Sequence, residues 1–128
     1  HLQQKKWPYY DQLIKLIKQN HPNLKILIAP GPGEIEKAKK LDAVSILSED
    51  KAISISELAG LIKRSKFVIA NDTGPAHMAA HLNVKGLSLF GSHTTAHKVS
   101  IERENFKAIQ VSDLKNLSAE KVFERLIL

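Results

Sequence analysis

Phe67-Val-Ile-Ala-Asn-Asp-Thr-Gly-Pro-Ala-His-Met-Ala-Ala-His81 is the stretch on which the fold turns. Phe67 to Ala70 are apolar without alternation, the pattern of a parallel strand buried on both faces. Asn71-Asp-Thr-Gly74 is a tight turn, and Pro75 suits the first position of a helix, where a missing N–H costs nothing. Ala76, Met78, Ala79, Ala80 and Leu82 continue that helix, with Asp72 or Thr73 as its cap. Strand, turn and helix N-terminus together form an anion site, because free N–H groups and the positive end of the helix dipole face the strand's carboxyl end. A capped strand-to-helix turn needs one polar residue, yet Asp72, Thr73 and His77 all gather here.

Outward from this stretch, apolar strands alternate with helices. Towards the N-terminus, a helix begins at Trp7-Pro8 with a stripe of Leu13, Ile14, Leu16 and Ile17, and stops at His21-Pro22-Asn23. A short buried strand over 24–29 leads into the rigid turn Pro30-Gly-Pro-Gly33 and a charged helix over 34–41. A weak strand follows over 43–47. The next helix, over 54–64, opens with Ser54 and Glu57 in capping-box spacing. Beyond His81 come an apolar strand over 84–90, the loop Gly91 to Thr95, a polar segment over 96–105, a strand over 106–111, and a closing helix from Ser118 to Ile127. Such alternation implies βαβ units with right-handed crossovers, a parallel sheet between helical layers, and ligands at the strands' carboxyl ends. Three loops share that rim: Pro30 to Glu34, Asn71 to His77 and Gly91 to Thr95.

The 128 residues suffice for one domain with its own core, taken as 1–128. The absence of cysteine excludes disulfides, zinc–thiolate sites and thiol nucleophiles. No apolar run reaches the roughly 20 residues of a membrane-spanning helix. A net charge of +6 with a pI near 9.6 admits nucleic acid, an anionic membrane surface or a phosphorylated small molecule as partner. The lysines are scattered along helices with few aromatics between them, which favours a solvated basic surface over a nucleic-acid interface. His77 and His81, like His93 and His97, have metal-ligand spacing. Met78 stands where a zinc helix needs its glutamate, however, and no carboxylate pairs with either set, so neither metal nor cofactor is expected. Trp7, Tyr9 and Tyr10 are expected to seal an edge of the core rather than stack on a base.

Lys5-Lys-Trp-Pro8, Gly31-Pro-Gly-Glu34, Asn71-Asp-Thr-Gly-Pro-Ala-His77 and Leu89-Phe-Gly91, in this order and spacing, resemble the C-terminal half of the lipopolysaccharide heptosyltransferases, the ADP-heptose-using glycosyltransferase family nine. The likeness covers nearly the whole chain. It implies a Rossmann-like three-layer domain of about five strands, the nucleotide-sugar-binding half of a two-domain GT-B enzyme that is inverting and metal-independent. By this resemblance Lys5 contacts the diphosphate or sugar and stabilises the leaving group, and Glu34 binds the ribose hydroxyls. Asp72 hydrogen-bonds sugar hydroxyls, the Thr73 and Gly74 amides hold the phosphates, His77 joins that cluster, and Ile53 lies near the base. It further implies a mid-sheet strand ahead of Lys5 and an acceptor-holding N-terminal domain with a general-base Asp. Neither is in this sequence, so the chain alone is expected to bind donor without turnover. The loop Ser92-His-Thr-Thr-Ala-His97 departs from the family pattern in lacking a proline. The implied partners are a nucleotide-sugar donor and, through the other domain, a saccharide acceptor, in the cytoplasm at the anionic inner face of the membrane. The alternatives are a non-catalytic nucleotide-binding module and a basic nucleic-acid binder.

Overall fold

The computed structural model describes residues 7–71, 73–91 and 102–128. Helix α1 spans Tyr10–Asn20 and is followed by β1 (Leu27–Ile28), α2 (Ile35–Lys39), β2 (Val44–Ser45) and α3 (Ile55–Lys63). Then come β3 (Val68–Asn71), α4 (Gly74–His81), β4 (Gly86–Phe90) and β5 (Phe106–Gln110). A 3-10 turn, Leu114–Asn116, precedes the last helix, α5 (Ala119–Glu124). Every ladder between these strands is parallel, as the alternation of strands and helices requires.

The sheet is divided. β1 pairs with β2, while β3, β4 and β5 form a separate sheet in that order. Among the described residues no ladder joins β1 to β3, although Ile26 and Ile69 pack against the same core cluster. The larger sheet is covered on both faces. Leu87 and Leu89 of β4 face α1, α5 and Trp7, whereas Phe90, Phe106 and Ala108 face α3 and α4. This period of two along β4 and β5 creates the three layers.

Burial corrects the expectation for the strand at the centre of the argument. β3 is half-buried along its whole length, and β4 is the strand that is buried throughout. The reason is lateral: β4 has a ladder on each side, whereas β3 has one on a single side. β1 likewise is shorter and more open than expected, with Leu27 38% exposed, because it too has one neighbour.

The helix ends follow their caps. Ser54 Oγ accepts the Glu57 N–H at 3.1 Å and Glu57 Oε1 accepts the Ser54 N–H at 2.9 Å, completing the expected box. Ser118 caps α5 by accepting from the Lys121 N–H at 3.2 Å. α1 starts at Tyr10 rather than at Trp7-Pro8, because the three residues before it are used as a tether. The Trp7 indole is buried and donates to Leu117 O at 2.7 Å, and the Tyr9 hydroxyl donates to Lys115 O at 2.6 Å. The aromatic cluster thus seals the core edge, stitching the N-terminal segment to the residues before α5.

Candidate functional site

The carboxyl end of β3 passes directly into α4. Thr73 occupies the N-cap position with extended backbone, but no side chain of the described residues caps the helix. The Thr73 hydroxyl instead turns back and donates to Asn71 O at 3.3 Å. The expected Thr73 cap is therefore absent, and Asp72, the other candidate, lies outside the described residues. Gly74 is the first helical residue and Pro75 the second. Gly74 has no positive φ, and a Cβ built on it would meet nothing within 4 Å. The backbone therefore does not need glycine for its shape. What glycine provides is an unobstructed approach to the amides at the helix start, where the dipole favours an anion.

Tyr10 comes to this turn from α1. Its hydroxyl donates to Asn71 Oδ1 at 2.8 Å, joining two residues 61 positions apart. Burial, reinforced by the negative charge of Glu34, pushes the Tyr10 phenol well above its ordinary pKa, so the hydroxyl remains a donor. Glu34 is itself the N-cap residue of α2, following the turn closed by its N–H on Gly31 O at 3.0 Å. The Tyr10 hydroxyl thus ties α1 to the carboxyl end of β3.

Of the residues expected at the site, Glu34, Thr73 and Gly74 are placed on this rim. His77 lies half-buried in the first turn of α4, its N–H donating to Thr73 O at 3.3 Å. Ile53 is half-buried ahead of the Ser54 cap, and no described interaction connects it to the Tyr10–Asn71 pair. Lys5, Asp72 and the loop from Ser92 to His97 lie outside the described residues. No group of three or more potential metal ligands gathers among the described residues. An open depression of about 560 Å³ lies beside this rim, lined by Pro32, Gly33, Ile35, Glu36, Lys39 and Asp50, and contains none of the expected residues.

Two residues that the sequence reading passed over stand at the junction, Tyr10 and Asn71. Asn71 had a signal available, since it is the one polar residue ending an otherwise apolar strand. Tyr10 had none beyond its aromatic neighbours, because its partner is distant in sequence.

Comparison with known proteins gives this arrangement its setting. The model of glycosyltransferase family 9 (heptosyltransferase) matches residues 1–126. Lipopolysaccharide heptosyltransferase 1 of Campylobacter coli is 31% identical over 114 residues, which are 82% of this chain and 33% of that protein. The E. coli heptosyltransferase WaaC with ADP superposes with a TM-score of 0.81 at 24% identity, over 95% of this chain and 39% of that one. E. coli ADP-heptose lps heptosyltransferase II gives 0.76 at 17% identity, over 94% of this chain and 40% of that one. The chain thus spans roughly a third of the curated relative, and the solved structures share its fold. With the family model matched from the first residue almost to the last, the chain belongs to glycosyltransferase family 9, the heptosyltransferases.

Proposed function

We propose that residues 1–128 form the nucleotide-sugar donor domain of an inverting, metal-independent glycosyltransferase that acts on lipopolysaccharide core. The observation that carries this reading is the β3–α4 turn, whose helix start has no side-chain cap among the described residues and whose first residue, Gly74, has open space where a side chain would stand. Two solved structures of WaaC hold ADP and ADP-2-deoxy-2-fluoro heptose, which supports a nucleotide sugar as the ligand here.

In this reading the Thr73 and Gly74 amides receive the diphosphate and Glu34 accepts from the ribose hydroxyls. Asp72 accepts from the sugar, His77 borders the phosphates and Ile53 lies towards the base. The acceptor hydroxyl oxygen forms a bond to the anomeric carbon as the bond to the diphosphate oxygen breaks, and the nucleoside diphosphate leaves with the electron pair. A carboxylate of an acceptor-holding domain takes the hydroxyl proton. Lys5 and the α4 amides, already oriented, offset the charge that grows on the leaving group. The division of the sheet between β1 and β3 supports a further parallel strand at that position in the complete enzyme. The +6 charge suits cytoplasmic work at an anionic inner-membrane surface.

Titration with ADP tests the reading. Saturable binding that is abolished by Asp72→Ala or Thr73→Pro supports it. Salt-sensitive binding of an oligonucleotide, indifferent to both substitutions, would instead favour a basic nucleic-acid binder.

A further inference from the structure

The charges of this chain are unevenly placed. Between Glu57 and Glu102 the sequence holds a single acid, Asp72, against Lys63, Arg64, Lys66, Lys85 and Lys98. Outside that interval acids and bases interleave, as in the Lys18–Asp42 pair at 2.8 Å and the Lys39–Glu36 pair at 3.8 Å. The fold then gathers four of the cations at the amino end of the larger sheet. Lys63 and Arg64 close α3, Lys66 stands two residues before β3, and Lys85 immediately precedes β4. The Val68 N–H donates to Lys85 O at 3.0 Å, so the starts of β3 and β4 lie side by side and bring Lys66 and Lys85 together. All four residues are exposed, and none forms an ion pair among the described residues.

Helix polarity explains half of this patch. Cations in the last turn of α3 offset its exposed carbonyls, which accounts for Lys63 and Arg64. Lys66 and Lys85 lie outside the helices, on adjacent strand starts where their like charges repel. Towards β5, Arg103 is flanked by Glu102 and Glu104, which bounds the patch on that side. No exposed aromatic side chain stands among the four cations, so a nucleic-acid base finds no ring to stack on. The donor rim lies at the opposite, carboxyl end of β3 and β4, and contact at the patch leaves it open. Taking a lipid-linked acceptor from the donor-domain reading above, we infer that Lys63, Arg64, Lys66 and Lys85 form a docking surface for anionic phospholipid headgroups. Each cation close to such a surface adds about fivefold to affinity, less as salt screens it.

The test is sedimentation of the protein with phosphatidylcholine vesicles, with and without about 30% phosphatidylglycerol, at about 0.1 M salt. The wild-type protein is compared with Lys63→Gln/Arg64→Gln/Lys66→Gln/Lys85→Gln. A control of equal charge, Lys15→Gln/Lys37→Gln/Lys115→Gln/Lys121→Gln, removes exposed cations elsewhere. The patch variant is expected to bind anionic vesicles roughly 100-fold more weakly, and the control within about fivefold of wild type. Near-ultraviolet circular dichroism reports the fold, and if the patch variant does not fold, Lys66→Gln/Lys85→Gln decides, with roughly tenfold weaker binding expected. Equal losses in patch and control variants overturn the inference, because binding would then follow net charge rather than this face. Wild-type indifference to phosphatidylglycerol overturns it too, as does tighter binding of the patch to an oligonucleotide than to anionic vesicles. ADP calorimetry on the same proteins reads the donor domain separately. A wild-type protein that binds anionic vesicles but not ADP overturns the donor reading alone.

Discussion

Replacing Gly86 by alanine tests the packing that holds the site's strand in place. Gly86 opens β4, facing Val68 of β3 on one side and Phe106 of β5 on the other. A Cβ there would lie 2.5 Å from Phe106 Cε2, 2.8 Å from Phe106 Cδ2 and 2.5 Å from Val68 O. Carbon contacts relax near 3.5–4.0 Å, so about an ångström of movement is required. The Phe106 ring is fully buried and has no room to swing. Val68 O belongs to the ladder that positions Asn71, so its movement disturbs β3. Overpacking of this kind costs about 1–3 kcal/mol, and two clashing partners place Gly86→Ala at about 3. The unfolded chain loses freedom with alanine, which returns about 0.5–1 kcal/mol because Gly86 has no positive φ. The net expectation is a loss of about 2 kcal/mol in urea unfolding with an unchanged m-value, and a Tm lower by roughly 8 °C. Gly60→Ala is the control. Gly60 lies within α3 and a Cβ on it meets nothing within 4 Å, so that variant should gain about 1 kcal/mol. If Gly86→Ala unfolds within 0.5 kcal/mol of wild type, the tight β3–β4–β5 packing described here is wrong.

Other substitutions probe the tether and the site. Gly74→Ala should leave the urea midpoint within about 0.5 kcal/mol of wild type, since its Cβ has open space, yet weaken ADP in calorimetry by crowding the amides. Equal ADP affinity would remove Gly74 from the site. Trp7→Phe deletes the donor to Leu117 O and should cost about 2 kcal/mol in chemical denaturation. A neutral result would show that the tether contributes nothing to stability. The two shifted groups give opposite pH dependences. Tyr10, with its pKa raised in the fold, supplies stability that is complete below about pH 10 and lost as the pH climbs above it. Tyr10→Phe should therefore flatten the alkaline fall in midpoint. Glu57, with its pKa lowered by the Ser54 bonds, supplies stability present above the ordinary glutamate range and lost as the pH falls through the lowered value. Glu57→Gln should accordingly reduce the acid sensitivity of α3, read by circular dichroism between pH 5 and about pH 2.

The sequence by itself determined what depends on near neighbours and on periodicity. Ser54 and Glu57 are three apart and found each other as their spacing demanded. The change from an apolar run to Gly74-Pro75 marked β3 and α4, and with them the rim at the sheet's carboxyl end. Burial and partnership required the tertiary structure. Phe67 to Ala70 is as apolar as Gly86 to Phe90, yet β4 is the buried strand, because lateral neighbours are set by strand order and composition does not encode it. Tyr10 and Asn71 are each unremarkable in the chain. Their meeting follows from the crossovers that lay α1 against the carboxyl end of β3, where the Asn71 side chain accepts the Tyr10 hydroxyl across 61 positions of sequence.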